Sequence, residues 1–396
     1  MTHAGMRSFF RPGGLPMQKN LRSLTFIAMV CCLALVPDGD ARAVDRPAIP
    51  VAAIFSQTGQ AAASNHSVLS GVRIAVDEVN SNGGVLGRPV ELLVFDNQST
   101  PIGSSIAARQ AVDRQVAAII GASWSSHSLA VAEVAQQNRV PMISPLSTVP
   151  KLTAIGDMIF RICFTDEFQG RKLADFIYND LHARSAQVFV DLTSDYSMEL
   201  SRVFIDHFRQ LGGTIEQEIE YKSNQLSYDQ QIAAAIAAKS DAVVLTGYDE
   251  SGYIAAQLQD KGLQAAIIGG DGWGDGDFFA SGGNRLKKAY YFSHWAREWD
   301  NPNSRSFVRH YGQTGPVTFG TALGYDAMHV LAAAIARAGS TDREKVREAL
   351  TRSSHPRGVT GSITLDGQGD PIDKNIFVFE IRNGVPYYLQ TLSPQQ

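Results

Sequence analysis

The stretch of this 396-residue chain that most restricts its fold runs from residue 117 to residue 150. It reads strand, loop, helix, strand, loop, with the polar residues gathered in the two loops. Residues 117–120 form a short apolar run that stops at Gly121, as a strand buried on both faces of a parallel sheet does. Ser123, Trp124, Ser125 and Ser126 follow, and a helical pattern begins behind them. The hydroxyls therefore stand where a helix starts, beside amides without intrahelical acceptors and at the positive end of the helix dipole. Such a place suits an anion. The next strand, 141–143, runs into Ser144, Pro145, Leu146, Ser147 and Thr148, so a second hydroxyl-bearing loop opens at the same sheet edge. In open α/β sheets, ligands bind beyond the carboxyl ends of the strands. The two loops thus form half of a site for a small carboxylate; a capping role for Ser125 or Ser126 stands beside that reading.

The same alternation extends in both directions. Residues 51–55 read as a strand, Ser70 as the cap of a helix carrying Val72, Ala75, Val76 and Val79, and Gly83 and Gly84 as its end. A strand at 90–95 and a helix at 102–115 lead into the stretch above. A second series starts near Phe168, with strands at 186–190, 214–221, 242–245, 266–268 and 289–293 and helices between them. Strands alternating with helices predict parallel, doubly wound sheets. Between 295 and 358 helix outweighs strand, which predicts that the chain returns to cover the first unit before a terminal strand pair drawn from 362–365 and 376–382. The expected architecture is α/β, with two parallel-sheet lobes.

At the N-terminus, Lys19 and Arg22 precede an apolar run over 24–36 and then Ala41-Arg42-Ala43, the layout of an export signal cleaved after residue 43. Cys31 and Cys32 lie inside that run without a lipid-attachment pattern, so a soluble periplasmic product is expected, and Met17 competes with Met1 as the start. Losing the leader removes five of 35 basic and two of 39 acidic residues, leaving seven more acids than bases. That balance argues against nucleic acid as a partner. Cys163 is then the only cysteine, and no internal disulfide is expected.

Catalytic and metal motifs are missing. The nine histidines include no His-Glu-x-x-His pair. Residues 269–277 are glycine-rich yet lack a phosphate-loop lysine. Counted as a calcium loop from Asp271, they place Trp273 at the third position and Gly282 at the twelfth. His127, between Ser126 and Ser128, reads as a solvated helix histidine. No enzymatic activity, cofactor or metal is expected.

The motif Gly71-Val72-Arg73-Ile74-Ala75-Val76-Asp77-Glu78-Val79-Asn80, then Gly83-Gly84-Val85-Leu86-Gly87-Arg88, together with Ile120-Gly121, Ser144-Pro145, Ser194-Asp195-Tyr196 and Gly361, resembles the type I periplasmic binding proteins of the leucine/isoleucine/valine-binding class. These are substrate carriers of branched-chain amino acid ABC transporters, and the resemblance covers residues 48–390. It implies two lobes joined by a three-stranded hinge, with the ligand trapped between them as they close. The lobes would comprise residues 44–166 with 295–358, and 167–294 with 359–396. It further implies that Ser125 and Thr148, with the carbonyl of Leu146, hold the carboxylate and ammonium of an amino acid. Tyr196, Tyr248 and Asp271 would cover it from the second lobe, Asp271 pairing with the ammonium. Without the resemblance, Asp271 reads as a turn residue of Gly269-Gly270-Asp271-Gly272.

This chain departs from the family pattern at three places. Ser64 stands where the first loop often carries tyrosine, and Trp124 and Ser99 replace the family's disulfide partners. Trp124 and Trp273 are candidates to line a pocket for a bulky ligand, or Trp124 packs under its helix. The expected function is a monomeric periplasmic solute-binding protein that delivers an amino acid or related small carboxylate to an inner-membrane ABC permease. The alternative is a ligand-sensing subunit of a receptor or regulator with the same fold.

Overall fold

Alternate residues of the first strand serve two different cores. In β1 (Ile49–Phe55), Val51, Ala53 and Phe55 point to one face of a sheet and Ala52 and Ile54 to the other, all fully buried. A strand buried on both sides has no room for polar residues, which is why it reads as a continuous apolar run. The computed structural model describes residues 47–313 and 315–394. The export leader expected over residues 1–43 lies outside the described residues.

β1 is flanked by β2 (Val90–Asp96) and β3 (Ala118–Gly121), and the sheet continues through β4 (Met142–Ser144) to β5 (Ile159–Arg161). Every neighbouring pair is parallel and the order is β2-β1-β3-β4-β5. Helices α2 (Pro101–Asp113) and α3 (Ser125–Gln137) cover one face, while α1 (Ala62–Ser81) covers the other. α1 starts well before Ser70, which lies inside the helix and caps nothing. Its polar first turn is tied down locally: the Asn65 carboxamide donates to the Ala61 carbonyl and accepts from the Ser56 amide.

The second sheet is built from β6 (Ser185–Asp191), β7 (Thr214–Tyr221), β8 (Ala242–Leu245), β9 (Ala266–Gly269) and β10 (Lys288–Ser293), all parallel. α4 (Asp166–Asp175) and α5 (Asp195–Gln210) pack on one face, α6 (Asp229–Ala238) and α7 (Glu250–Asp260) on the other, with the short α8 (Phe278–Ser281) beside α7. The chain then returns to the first lobe as α9 (Pro302–Tyr311), α10 (Phe319–Ala338) and α11 (Arg343–Thr351), as the helix-rich composition predicts. α10 is long and apolar enough to cross a bilayer, yet most of it is buried as the core helix of this lobe. It crosses α1 at two glycines. A Cβ on Gly71 would stand 2.0 Å from the Thr321 carbonyl oxygen, and one on Gly324 would stand 2.1 Å from that of Val68.

A two-stranded piece, β11 (Ser354–His355) with β12 (Ile363–Thr364), precedes the last pair, β13 (Ile376–Arg382) and β14 (Val385–Leu392). β13 runs antiparallel to β10, and β14 antiparallel to β13, so the second sheet is mixed at this edge. The terminal pair therefore joins 376–382 to a strand the sequence concealed. β14 keeps most of its side chains partly or fully in water, which removes the apolar signal of a strand.

Side chains change core at three points. Cys163 packs with the first lobe and Phe164 with the second; Trp295 with the first and Ala296 with the second. The third change lies beyond the expected 358/359 division, because Val359, Ile363 and Leu365 pack with the first lobe and Ile376 with the second.

Candidate functional site

The loops that follow β3 and β4 and those that follow β6, β8 and β9 meet between the two sheets. All leave the carboxyl ends of parallel strands, where a ligand can reach backbone amides and helix starts. They enclose a cavity of about 20 Å3, room for a single water. Ser64, Ser123, Trp124, Leu146, Thr148 and Phe319 line it from one lobe, and Tyr196, Tyr248, Asp271, Gly272 and Asp275 from the other. The structure thus brings together Trp124, Leu146, Thr148, Tyr196, Tyr248 and Asp271. Ser125 is set one step back. It is the first residue of α3, and its buried Oγ accepts a hydrogen bond from the Ser147 hydroxyl at 3.2 Å. Neither Ser125 nor Ser126 caps α3, which Trp124 precedes without a side-chain bond.

Arg161 fixes the loop that presents Thr148. Its guanidinium is fully buried and donates to the carbonyls of Ser147, Val149 and Pro150, with Asp370 as counter-ion at 2.5 Å. One cation thereby ties together three carbonyls of a single loop.

Asp271 stands just beyond β9 and is held on both oxygens. Gln169, on the first turn of α4, donates to Oδ1 at 2.8 Å and accepts from the Asp271 amide at 2.8 Å. His294 contacts Oδ2 through Nε2 at 2.9 Å. Its ring stacks on Phe164 with centroids 3.8 Å apart. The Tyr196 hydroxyl accepts from the Gly272 amide at 3.2 Å, and burial together with the Asp271 carboxylate raises the phenols of Tyr196 and Tyr248 well above their usual range. Both stay neutral donors.

The lobes also bond directly across the cleft. Ser126 accepts from the Asp195 amide at the start of α5 at 3.1 Å, and Lys151 pairs with the Asp195 carboxylate. Asp275, from the second lobe, accepts from Ser67 at 2.5 Å and Thr318 at 2.8 Å, both of the first. Burial pushes the Asp275 carboxyl up to about 6. The Trp124 indole lies against the ring of Tyr248.

Two sequence expectations fail here. Trp273 does not reach the cavity. It is fully buried in the second lobe, stacked on Phe278 at 4.2 Å, because the Gly270–Trp273 turn folds its ring back under β9. His127 is not solvated: it is buried behind Trp124, and desolvation pushes its imidazole down to about 4, keeping it neutral. The sequence also passed over Gln169, His294, Asp166 and Asp275. His294 follows the end of β10, so the strand-end rule that singled out Asp271 applies to it too. Among the described residues, no group of three His, Cys, Asp or Glu could hold a metal.

Residues 48–385 match the family model described as periplasmic binding protein. The crystal structure of a leucine binding protein from Thermotoga maritima superposes with a TM-score of 0.83 at 34% identity, covering 88% of this chain and 99% of that one. The chain belongs to the type I periplasmic binding proteins of the branched-chain amino acid family. A Leu/Ile/Val-binding protein homolog of Brucella melitensis is 28% identical over 85% of this chain and 92% of its own length. A branched-chain amino acid transporter substrate binding protein from Streptococcus pneumoniae, solved in complex with isoleucine, has the same fold, with a TM-score of 0.82 at 24% identity and coverage of 88% and 100%. In this binding protein the strand-end loops of both lobes converge on one cleft.

Proposed function

We propose that the protein is a periplasmic solute-binding protein that captures an amino acid or related small carboxylate by closing its lobes and delivers it to an inner-membrane ABC permease. The observation that carries this reading is the pairing of unlike chemistry across the cleft. One lobe offers the hydroxyl and amides of the loop around Thr148 and the start of α3, and the other offers the Asp271 carboxylate. A zwitterion needs both at once, so it gains most when the lobes come together and water leaves. Ser125, Thr148 and the Leu146 carbonyl take the carboxylate and ammonium; Tyr196, Tyr248 and Trp124 cover them; Asp271 pairs with the ammonium.

Ligand contacts made only in the closed form shift the population toward it, and that form is what a permease would recognise. The lobes move about the three core changes described above, between Cys163 and Phe164, at Trp295 and Ala296, and between Leu365 and Ile376 rather than at 358/359. Leucine, isoleucine and valine binding by the relatives makes aliphatic amino acids the first solutes to try.

A thermal-shift screen over amino acids and aromatic acids tests the reading, since binding to the folded state alone raises its stability by mass action. A hit should be weakened at least tenfold by combined Ser125→Ala and Thr148→Ala substitution. Unchanged affinity in the double variant removes this site from the account.

A further inference from the structure

Behind Thr148 lies a buried carboxyl group that no cation of the chain pairs with. Asp166 is the first residue of α4 and is completely buried, and the Thr148 hydroxyl is the one polar side chain that reaches its carboxyl, at a geometry too poor for a full hydrogen bond to either oxygen. Its own amide donates to the Thr148 carbonyl at 2.9 Å, so it is anchored to the residue that the proposed function places on the ligand. Three residues further on, on the same face of α4, Gln169 clamps Asp271. The first turn of α4 thus directs two side chains toward the Thr148–Asp271 end of the cleft, Gln169 clamped on Asp271 and Asp166 beside the Thr148 hydroxyl without a counter-charge.

An ionised carboxylate left unpaired in such a place costs several kcal/mol, and proteins avoid the cost by pairing or neutralising the group. Pairing from within the chain is closed off. Arg161 is the nearby cation, and its donors are spent on the Ser147, Val149 and Pro150 carbonyls, Thr153 and Asp370. The other charged groups facing Asp166 are acids: Asp271, shared with His294, and Glu199, which pairs with Arg202. Burial and then the Asp271 carboxylate raise the Asp166 carboxyl well above its ordinary range, with the Thr148 hydroxyl as its nearest opposing influence.

We propose that Asp166 is a positioning residue of the ammonium pocket: it is a neutral acid without a cationic ligand, and it gives up its proton to solvent when an ammonium group settles between Thr148 and Asp271. The entering cation supplies the counter-charge that the chain lacks, the carboxylate that forms orients the Thr148 hydroxyl, and net proton release makes binding tighter at higher pH. This inference rests on the amino-acid reading above and adds a proton to its stoichiometry.

The experiment is titration calorimetry of the full mature protein with L-leucine and L-alanine, between pH 6 and 8, in buffers of low and high ionisation enthalpy. These pH values lie below the titration of the amino acid's own ammonium group, so any proton released comes from the protein. The expected result is release approaching one proton per ligand, affinity that rises by up to about tenfold per pH unit, and loss of both effects in Asp166→Asn together with weaker binding. An enthalpy independent of buffer over the whole range overturns the proposal while leaving amino-acid binding intact. So does release that persists in the variant. If neither amino acid binds and an ammonium-free acid such as benzoate does, the functional reading falls and this inference falls with it. Should Asp166→Asn fail to fold, as judged by circular dichroism, the proton count on the unaltered protein still decides.

Discussion

The indole of Trp124 and the phenol ring of Tyr248 lie face to face, with centroids 4.0 Å apart and planes 1° from parallel, one ring from each lobe. Tyr248 stacks in turn on Tyr196 of its own lobe, centroids 5.0 Å apart, so a row of three rings bridges the cleft through the Trp124–Tyr248 contact, beside a cavity with space for one water. If the ligand enters here as proposed, its side chain must displace or separate these rings, and Trp124 then limits ligand size.

Trp124→Ala is therefore expected to shift selectivity toward larger side chains. The ratio of leucine to alanine affinity should rise by about tenfold, the range expected when a few buried methylenes gain a place to pack. Calorimetric titration of both amino acids with both proteins measures it, and an unaltered ratio would show that the indole does not set the size of the site.

Asp275 gives the contact between the lobes a pH dependence of definite sign. Its carboxyl is raised to about 6 by burial, so the stability it supports is fully present below the ordinary aspartate range and is lost as pH rises through 6. Relative to the permanently neutral Asp275→Asn, the unaltered protein should lose roughly 1 to 2 kcal/mol between pH 4 and pH 7, a figure reduced because the residue keeps part of its surface in water. Denaturant melts of the two proteins at both pH values check this; parallel curves would refute it.

A buried network ties α10 to the last crossover. Asp326 accepts from the amides of Val359 and Thr360 at 2.8 Å each and from the Thr360 hydroxyl at 2.6 Å, while Lys374 donates to the Thr360 carbonyl at 2.9 Å. Asp326→Ala strands three donors out of reach of water and should cost about 3 kcal/mol or more, seen as a lower midpoint of urea unfolding. A loss below about 1 kcal/mol would show that the segment repacks.

Cys163 should be inert. Its thiol is fully buried, it donates to the Ser147 carbonyl at 3.3 Å, and desolvation raises it far above the usual thiol range. Reaction with a thiol reagent is expected only in denaturant, and modification of the native protein within minutes would contradict the burial.

Much of the fold was legible because the signals were local. The runs at 214–221 and 242–245 coincide with β7 and β8: β8 lies inside the sheet and offers only buried apolar residues, while β7, at the sheet edge, alternates exposed polar residues with more buried ones. The start of α1 and the whole of β14 were not legible. The first turn of α1 looks like a loop because its polar groups are satisfied by Ala61 and Ser56, and β14 looks like a loop because none of its residues is fully buried.

The sequence by itself determined the alternation of strand and helix, and with it the sheet edges at which Thr148, Tyr196, Tyr248 and Asp271 stand. Those facts follow from periodicity and from glycine and hydroxyl residues at strand ends, which act over a few residues. Only the tertiary structure decided that Trp124 meets Tyr248, that Trp273 turns inward, that His127 is buried and that Asp166 is buried without a counter-charge. Each depends on which groups two distant segments bring within a few ångströms, and on how much water that contact expels.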